Sequence, residues 1–158
     1  MDLYLIRHGE AYSSEERFER PLNERGKNDV SLIAKHLKDS NIQVENIFHS
    51  EKVRAIETAE IIADALNLTN KLAVMTSLDP DNEIFDLIGA VHELHYNTIM
   101  VGHLPNIALL SSFLITGNIN KSPISFSTAT AARFEYQNDI WTLKWSIDPA
   151  SLRKVDKK

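Results

Sequence analysis

The stretch "LYLIRHGE", residues 3–10, decides how the chain is read. Leu3, Tyr4, Leu5 and Ile6 are consecutive apolar residues with shapes that suit a strand. Residues 2 to 7 are therefore expected as a short strand buried on both faces, the pattern of a central parallel strand. The run ends abruptly in Arg7, His8 and Gly9. Arginine and histidine are costly to bury, so the strand either reaches the surface there or delivers both side chains to a place where chemistry happens. Gly9 is expected to let the backbone turn closely past a ligand.

Working outward, Val30, Ile33, Ala34 and Leu37 fall at i, i+3, i+4 and i+7, which predicts one buried helical face between Lys27 and Ser40. "NIFHS", residues 46–50, reads as a second strand, with Ser50 as N-cap of a helix running from Glu51 along Val53, Ile56, Ala59, Ala63 and Leu66. "LAVMT", residues 72–76, is a third strand, followed by a helix marked by Ile84, Leu87, Ile88 and Val91. "NTIMVG", residues 97–102, is a fourth, after which Pro105 stands where a first-turn proline would open a helix through Leu114. Strands alternating with helices predict a mostly parallel sheet covered on both faces. "ARFEYQNDIWTLKW", residues 132–145, differs: two alternating runs flank Gln137, Asn138 and Asp139, which is a hairpin and hence antiparallel. Trp141, Trp145, Phe134 and Tyr136 read as its core. The fold class expected is α/β, a three-layer sandwich with a C-terminal hairpin. Between the last helix and the hairpin, "ITGNINKSPISFSTA", residues 115–129, is expected as a mobile surface loop bordering a site.

The chain has 158 residues, which suits a single domain over 1–158, with about 148–158 as a solvated C-terminal tail. Apolar residues make up 43% and charged ones 25%, ordinary values that point away from disorder and fibrous repeats. With a net charge of −5 and no long basic run before "RKVDKK", no nucleic-acid footprint is visible, and any positive patch must be local. The longest apolar stretch, "IALLSSFLI", is too short to span a membrane, and Asp2 and Arg7 interrupt any signal-peptide pattern, so a cytoplasmic protein with no membrane partner is expected. There is no cysteine, so histidine, arginine and carboxylates must carry any chemistry.

In open α/β sheets ligands gather at the carboxyl ends of the strands. The first strand delivers Arg7 and His8 there, the second Ser50 and, one helical turn on, Arg54, and the fourth Gly102 and His103. Arginine presents a planar fork that matches phosphate oxygens, and a helix N-terminus adds free N–H groups. The set therefore describes an anion pocket for a phosphoryl group. A histidine within it can attack phosphorus when one ring nitrogen is unprotonated and the other is held by a hydrogen bond.

These residues resemble a known family. "LIRHGE", "RPLNERG" at 20–26, "HSEKVRAIETAE" at 49–60 and "VGHLP" at 101–105 look like the histidine phosphatase superfamily, also called phosphoglycerate mutase-like. The short chain, the early "RPL", "GHLP" and "WSIDPASL" are most similar to its SixA-type branch of phosphohistidine phosphatases. The resemblance implies that His8 is the nucleophile and forms a phosphohistidine intermediate that water hydrolyses. It further implies that Arg7, Arg54 and His103 hold the phosphoryl oxygens, with Arg20 completing the pocket. No metal and no cofactor are implied. The implied partner is a phosphohistidine-bearing protein, either a histidine-transfer domain or a phosphocarrier protein, and a monomer is the simplest expectation.

The chain departs from the larger relatives in two places. No asparagine follows RHG until Asn23, and the region after the third strand, "LDPDNEIF", offers Asp79, Asp81 and Glu83 without a recognisable general-acid motif. An alkoxide leaving group needs a proton in the transition state, whereas imidazole with its second nitrogen protonated leaves as a neutral base whose conjugate acid has a pKa of about 6.5. The expected preference is accordingly for phosphohistidine over alkyl phosphates. A small-molecule phosphomonoesterase and a non-catalytic phosphate-binding module are the alternatives. His92 and His95, three apart on an expected helix, suggest a metal pair only weakly because that helix offers no third ligand.

Overall fold

The computed structural model of the chain describes residues 1–121 and 124–156. Ser122 and Pro123 of the expected loop, and Lys157 and Lys158 of the expected tail, lie outside the described residues. The elements run β1 (Asp2–Arg7), α1 (Glu24–Asp39), β2 (Asn46–His49), α2 (Val53–Leu66), β3 (Leu72–Val74), α3 (Ile84–His92), β4 (Thr98–Gly102), α4 (Asn106–Thr116), β5 (Ala131–Gln137), β6 (Ile140–Ile147) and α5 (Pro149–Asp156). One six-stranded sheet has the order β3-β2-β4-β1-β5-β6. Its first four strands are mutually parallel, while β5 joins β1, and β6 joins β5, antiparallel.

β1 is central because both its faces are apolar. Tyr4 and Ile6 pack with Val30, Ile33 and Leu37 of α1 and Ala55, Ala59 and Ile62 of α2. Leu3 and Leu5 pack into the opposite layer with Leu87 and Val91 of α3 and Leu110 and Leu114 of α4. The three-layer sandwich and its closing hairpin are as expected. Asn138 and Asp139 take positive φ values of 54° and 62° at the hairpin tip, a conformation these two residue types tolerate. One irregularity between Arg133 and Phe134 lets β6 serve both layers, with Trp141 and Leu143 packing beneath α4 and Trp145 and Ile147 beneath α1. Of the expected hairpin core, Phe134 is fully buried, whereas Tyr136 sits on the exposed rim.

Several local expectations change. α1 begins at Glu24, not Lys27, because Asn23 caps it by accepting from the Gly26 N–H at 2.8 Å. The apolar period starts only at Val30, so the first turn was silent. α2 begins at Val53 with Lys52 as N-cap, so Ser50 is not the cap. Pro105 stands one position before α4, after a cis peptide bond from Leu104, and does not form its first turn. The loop at 115–129 is less superficial than expected, since Ile124 and Phe126 are buried in the α3/α4 layer. The C-terminal segment is also more than a solvated tail: α5 lies against α1, and Arg153 donates to the buried carboxylate of Asp29. No helix is long and apolar enough to cross a membrane, among the described residues.

Candidate active site

Parallel pairing sets the ends of three strands side by side. Arg7 pairs with Gly102, and His49 with Val101, so the next residues of β1, β2 and β4 emerge together at the carboxyl edge. The His8 N–H extends the ladder by donating to the Gly102 carbonyl at 3.1 Å. The rings of His8 and His103 consequently lie with centroids 5.0 Å apart and planes tilted by 50°. Both are buried, at 7% and 3% exposure, so each ring must be matched to its few polar neighbours.

Those neighbours differ. His8 Nδ1 meets the Gly9 carbonyl at 2.8 Å, and since a carbonyl can only accept, Nδ1 carries the proton and Nε2 keeps its lone pair. Burial, together with the nearby charges of Arg54, Arg7 and Arg20, lowers the His8 pKa to about 4 despite the opposing Gly9 bond. His103 Nε2 lies 2.6 Å from Ser50 Oγ. Burial first, then His8, Arg54, Lys52 and Arg7, lowers its pKa to about 3. At neutral pH both rings are uncharged.

The cations around them have no carboxylate counter-ion: among the described residues, no ion pair involves Arg7, Arg20 or Arg54. Arg7 Nη1 donates to the Phe126 carbonyl at 2.9 Å, which ties the 115–129 loop to the site. Arg7 Nε, Arg54 Nε and His103 Nδ1 are buried without a hydrogen-bond partner. Burial lowers the pKa of both guanidinium groups, with Arg20 adding to the effect on Arg54. Converging, unpaired, buried donors are costly unless an anion completes them. In a chain of net charge −5 this patch is local, as the composition required.

The remaining expected residues fall at different distances from this centre. Arg54 is the second residue of α2, and its charge is felt by both His8 and His103. Arg20 is held in the left-handed region, at φ 53°, by its N–H to the Arg17 carbonyl and by Nε to the Tyr12 carbonyl, both 3.0 Å. A non-glycine residue so placed is kept there only by its surroundings. Asp79 Oδ1 accepts the Glu51 N–H at 2.8 Å, so this carboxylate braces the turn after Ser50. Asp81 and Glu83 are exposed beyond it. His92 ends α3 and His95 lies past it, so the expected helical pair is not formed.

Sequence reasoning overlooked the residues that hold the RHG turn. Gly9 N–H donates to Thr58 Oγ1 at 3.0 Å, and Thr58 Oγ1 in turn donates to the Arg54 carbonyl at 2.7 Å. Thr58 thus locks the His8 turn onto the helix that presents Arg54. The signal was present, since Thr58 is i+4 from Arg54 on one helical face. Glu57 accepts the Leu22 N–H at 2.8 Å and fastens "RPL" to the same helix. A Cβ on Gly9 would meet Val30 Cγ2 at 2.7 Å and the Gly26 carbonyl at 3.1 Å, so the close approach this glycine visibly allows is to α1. Likewise a Cβ on Gly26 would stand 1.9 Å from the Glu10 carbonyl oxygen. The two glycines let α1 pack directly against the turn that carries His8.

Comparison with known proteins agrees with this geometry. The family model of the histidine phosphatase superfamily (branch 1) matches residues 3–78, which include the RHG turn, Arg20 and Arg54. Phosphohistidine phosphatase SixA of Escherichia coli (strain K12) is 27% identical over 160 residues, covering 97% of each chain. The chain is thus similar to the histidine phosphatase superfamily over its first half and to a phosphohistidine phosphatase over its whole length. Among solved members of the fold, the protein histidine phosphatase SixA complexed with tungstate superposes with a TM-score of 0.84 at 24% identity, covering 96% of this chain and 99% of that one. Phosphoglycerate mutase from Bacillus anthracis str. Sterne gives 0.75 at 20% identity, over 99% and 96%. The family-model match, the similarity to SixA and the shared sheet make the phosphoglycerate mutase-like fold a finding. They support a phosphatase.

Proposed function

We propose that this protein is a phosphohistidine phosphatase that removes the phosphoryl group from a histidine of a partner protein. One observation carries the reading: a neutral His8, its Nδ1 proton committed to the Gly9 carbonyl, beside buried arginine nitrogens that lack a partner. The whole-length similarity to a phosphohistidine phosphatase supports the substrate class.

In this reading Arg7, Arg20, Arg54 and His103 grip the phosphoryl oxygens while His8 Nε2 attacks phosphorus. The new P–N bond forms as the P–N bond to the substrate histidine breaks, and the electron pair leaves with the substrate imidazole. That ring, protonated at its second nitrogen, departs neutral. His8 is then an N-phosphorylated imidazolium whose Nδ1–H still donates to Gly9. Water attacks phosphorus, the P–Nε2 bond breaks, its proton leaves with inorganic phosphate, and neutral His8 returns. The arginines stabilise charge spread over the equatorial oxygens at each step. No metal ion is needed for either displacement, and the enzyme is proposed to act as a monomer in the cytoplasm.

The test compares a phosphorylated histidine-transfer domain and a phosphocarrier protein with a panel of sugar and nucleotide phosphates, with and without EDTA. Turnover of a phosphohistidine protein at least about 100-fold above sugar phosphates, unaffected by chelator, is expected from the leaving-group difference. Equal turnover on sugar phosphates would favour the small-molecule phosphomonoesterase. Binding of phosphate with no turnover would favour the non-catalytic module.

A further inference from the structure

Ser50, which the sequence placed at the carboxyl edge and read as a helix cap, touches His103 directly. It is fully buried, and its hydroxyl lies 2.6 Å from His103 Nε2, between residues 53 apart in sequence and on neighbouring strands. The same oxygen receives the Lys52 N–H at 3.3 Å. A hydroxyl has one proton to give and two lone pairs to offer. If His103 Nε2 carried the ring proton, Ser50 Oγ would accept twice, and its own buried proton would have no acceptor among the described residues. With the opposite assignment every group is satisfied: Lys52 N–H donates to Oγ, Oγ–H donates to Nε2, and the ring proton resides on Nδ1.

We propose that Ser50 is a positioning residue, donating its hydroxyl proton to His103 Nε2 and thereby holding His103 as the Nδ1–H tautomer, a neutral hydrogen-bond donor to the phosphoryl group. Nδ1 is the buried ring nitrogen without a partner, so it is the polar edge this ring can offer a bound anion. The opposite tautomer would turn a lone pair toward the phosphoryl oxygens and repel them. Ser50 therefore makes His103 a donor, just as the Gly9 carbonyl makes His8 a nucleophile. The role toward a phosphoryl group rests on the function proposed above; the tautomer itself does not.

The test reads the ring nitrogens of His103 by long-range 1H–15N NMR in the intact protein, and kinetics in Ser50→Ala and Ser50→Thr. A protonated Nδ1 and an unprotonated Nε2 are expected in the wild type at pH 7, with that pattern lost in Ser50→Ala. Against a phosphohistidine protein, Ser50→Ala is expected to lower kcat by about 10- to 100-fold, less than the about 10²- to 10³-fold cost of deleting the donor itself, with KM within about twofold. Ser50→Thr keeps the hydroxyl and is expected to restore the tautomer and most of kcat. A wild-type His103 protonated on Nε2 would overturn the proposal, as would Ser50→Ala with unchanged tautomer and kcat. Absence of any phosphatase turnover in the wild type would instead count against the proposed function and leave the NMR result standing.

Discussion

The two histidines at the carboxyl edge are near copies in placement and opposites in chemistry. Each is the first residue beyond one of two adjacent parallel strands, each is buried, and burial pulls each pKa well down, to about 4 for His8 and about 3 for His103. What separates them is a single partner: a carbonyl on Nδ1 of His8, a hydroxyl on Nε2 of His103. The carbonyl accepts and leaves a free lone pair; the hydroxyl donates and leaves a free N–H. In a buried site the role of a neutral imidazole is thus set by its second nitrogen.

Replacing each ring with alanine is the sharpest way to break this comparison. His8→Ala is expected to abolish turnover, by about 10⁴-fold or more, because in the proposed mechanism His8 carries the phosphoryl group. No 32P-labelled, acid-labile intermediate should be trapped. His103→Ala is expected to lower kcat by about 10²- to 10³-fold, the cost of one donor to the transition state, while a labelled intermediate still forms. A labelled His8→Ala protein, or loss of the label in both variants, would end the division of labour.

The sequence carried the strand ends well and the supports poorly, and the reason is physical. β1, β2 and β4 are runs of apolar residues, and wherever such runs alternate with amphipathic helices their polar terminal residues must meet at one edge. Arg7, His8, Arg54 and His103 were legible for that reason. Thr58 and Glu57 were not, nor was the bond from Ser50 to His103, because a small hydroxyl or a helical glutamate gives no sign of its three-dimensional partner. Gly9 was read for the wrong neighbour: a glycine beside a candidate ligand site looks like room for the ligand, whereas its missing side chain makes room for α1. The 115–129 loop looked polar, yet Ile124 and Phe126 are buried and the Phe126 carbonyl holds Arg7. α5 was lost because its anchoring contact, Arg153 with Asp29, spans 124 residues.

A second comparison asks whether both rings are as unwilling to protonate as their burial implies. In the unfolded chain each takes a proton near pH 6.5, but in the folded chain His8 resists until about pH 4 and His103 until about pH 3. Across that window the unfolded chain binds more protons, so stability is full above about 6.5 and falls as pH drops toward 4. For His8 the shift corresponds to about 3 kcal/mol. Denaturant melts between pH 7 and pH 4 should therefore show a decline that is shallower in His8→Gln and in His103→Gln than in the wild type. Variants as steep as the wild type would mean that the rings titrate normally and that His8 is protonated, and so not nucleophilic, in mildly acidic solution.

The smallest expected effect concerns the proton that neither histidine supplies. Asp79 is the acidic residue best placed to reach a leaving group, since it accepts the Glu51 N–H beside Ser50, but that hydrogen bond already engages its Oδ1. Asparagine keeps an acceptor oxygen there and cannot act as an acid, so Asp79→Asn separates bracing from proton transfer. Against phosphohistidine the departing imidazole, with a conjugate-acid pKa of about 6.5, needs little help, and kcat is expected to stay within about twofold of wild type. Against an alkyl phosphate, whose leaving alkoxide is far more basic, any residual activity that uses Asp79 should fall in the variant. A loss of more than about tenfold on phosphohistidine would place a general acid at Asp79. The division between a histidine that attacks and a histidine that holds would then need a third member.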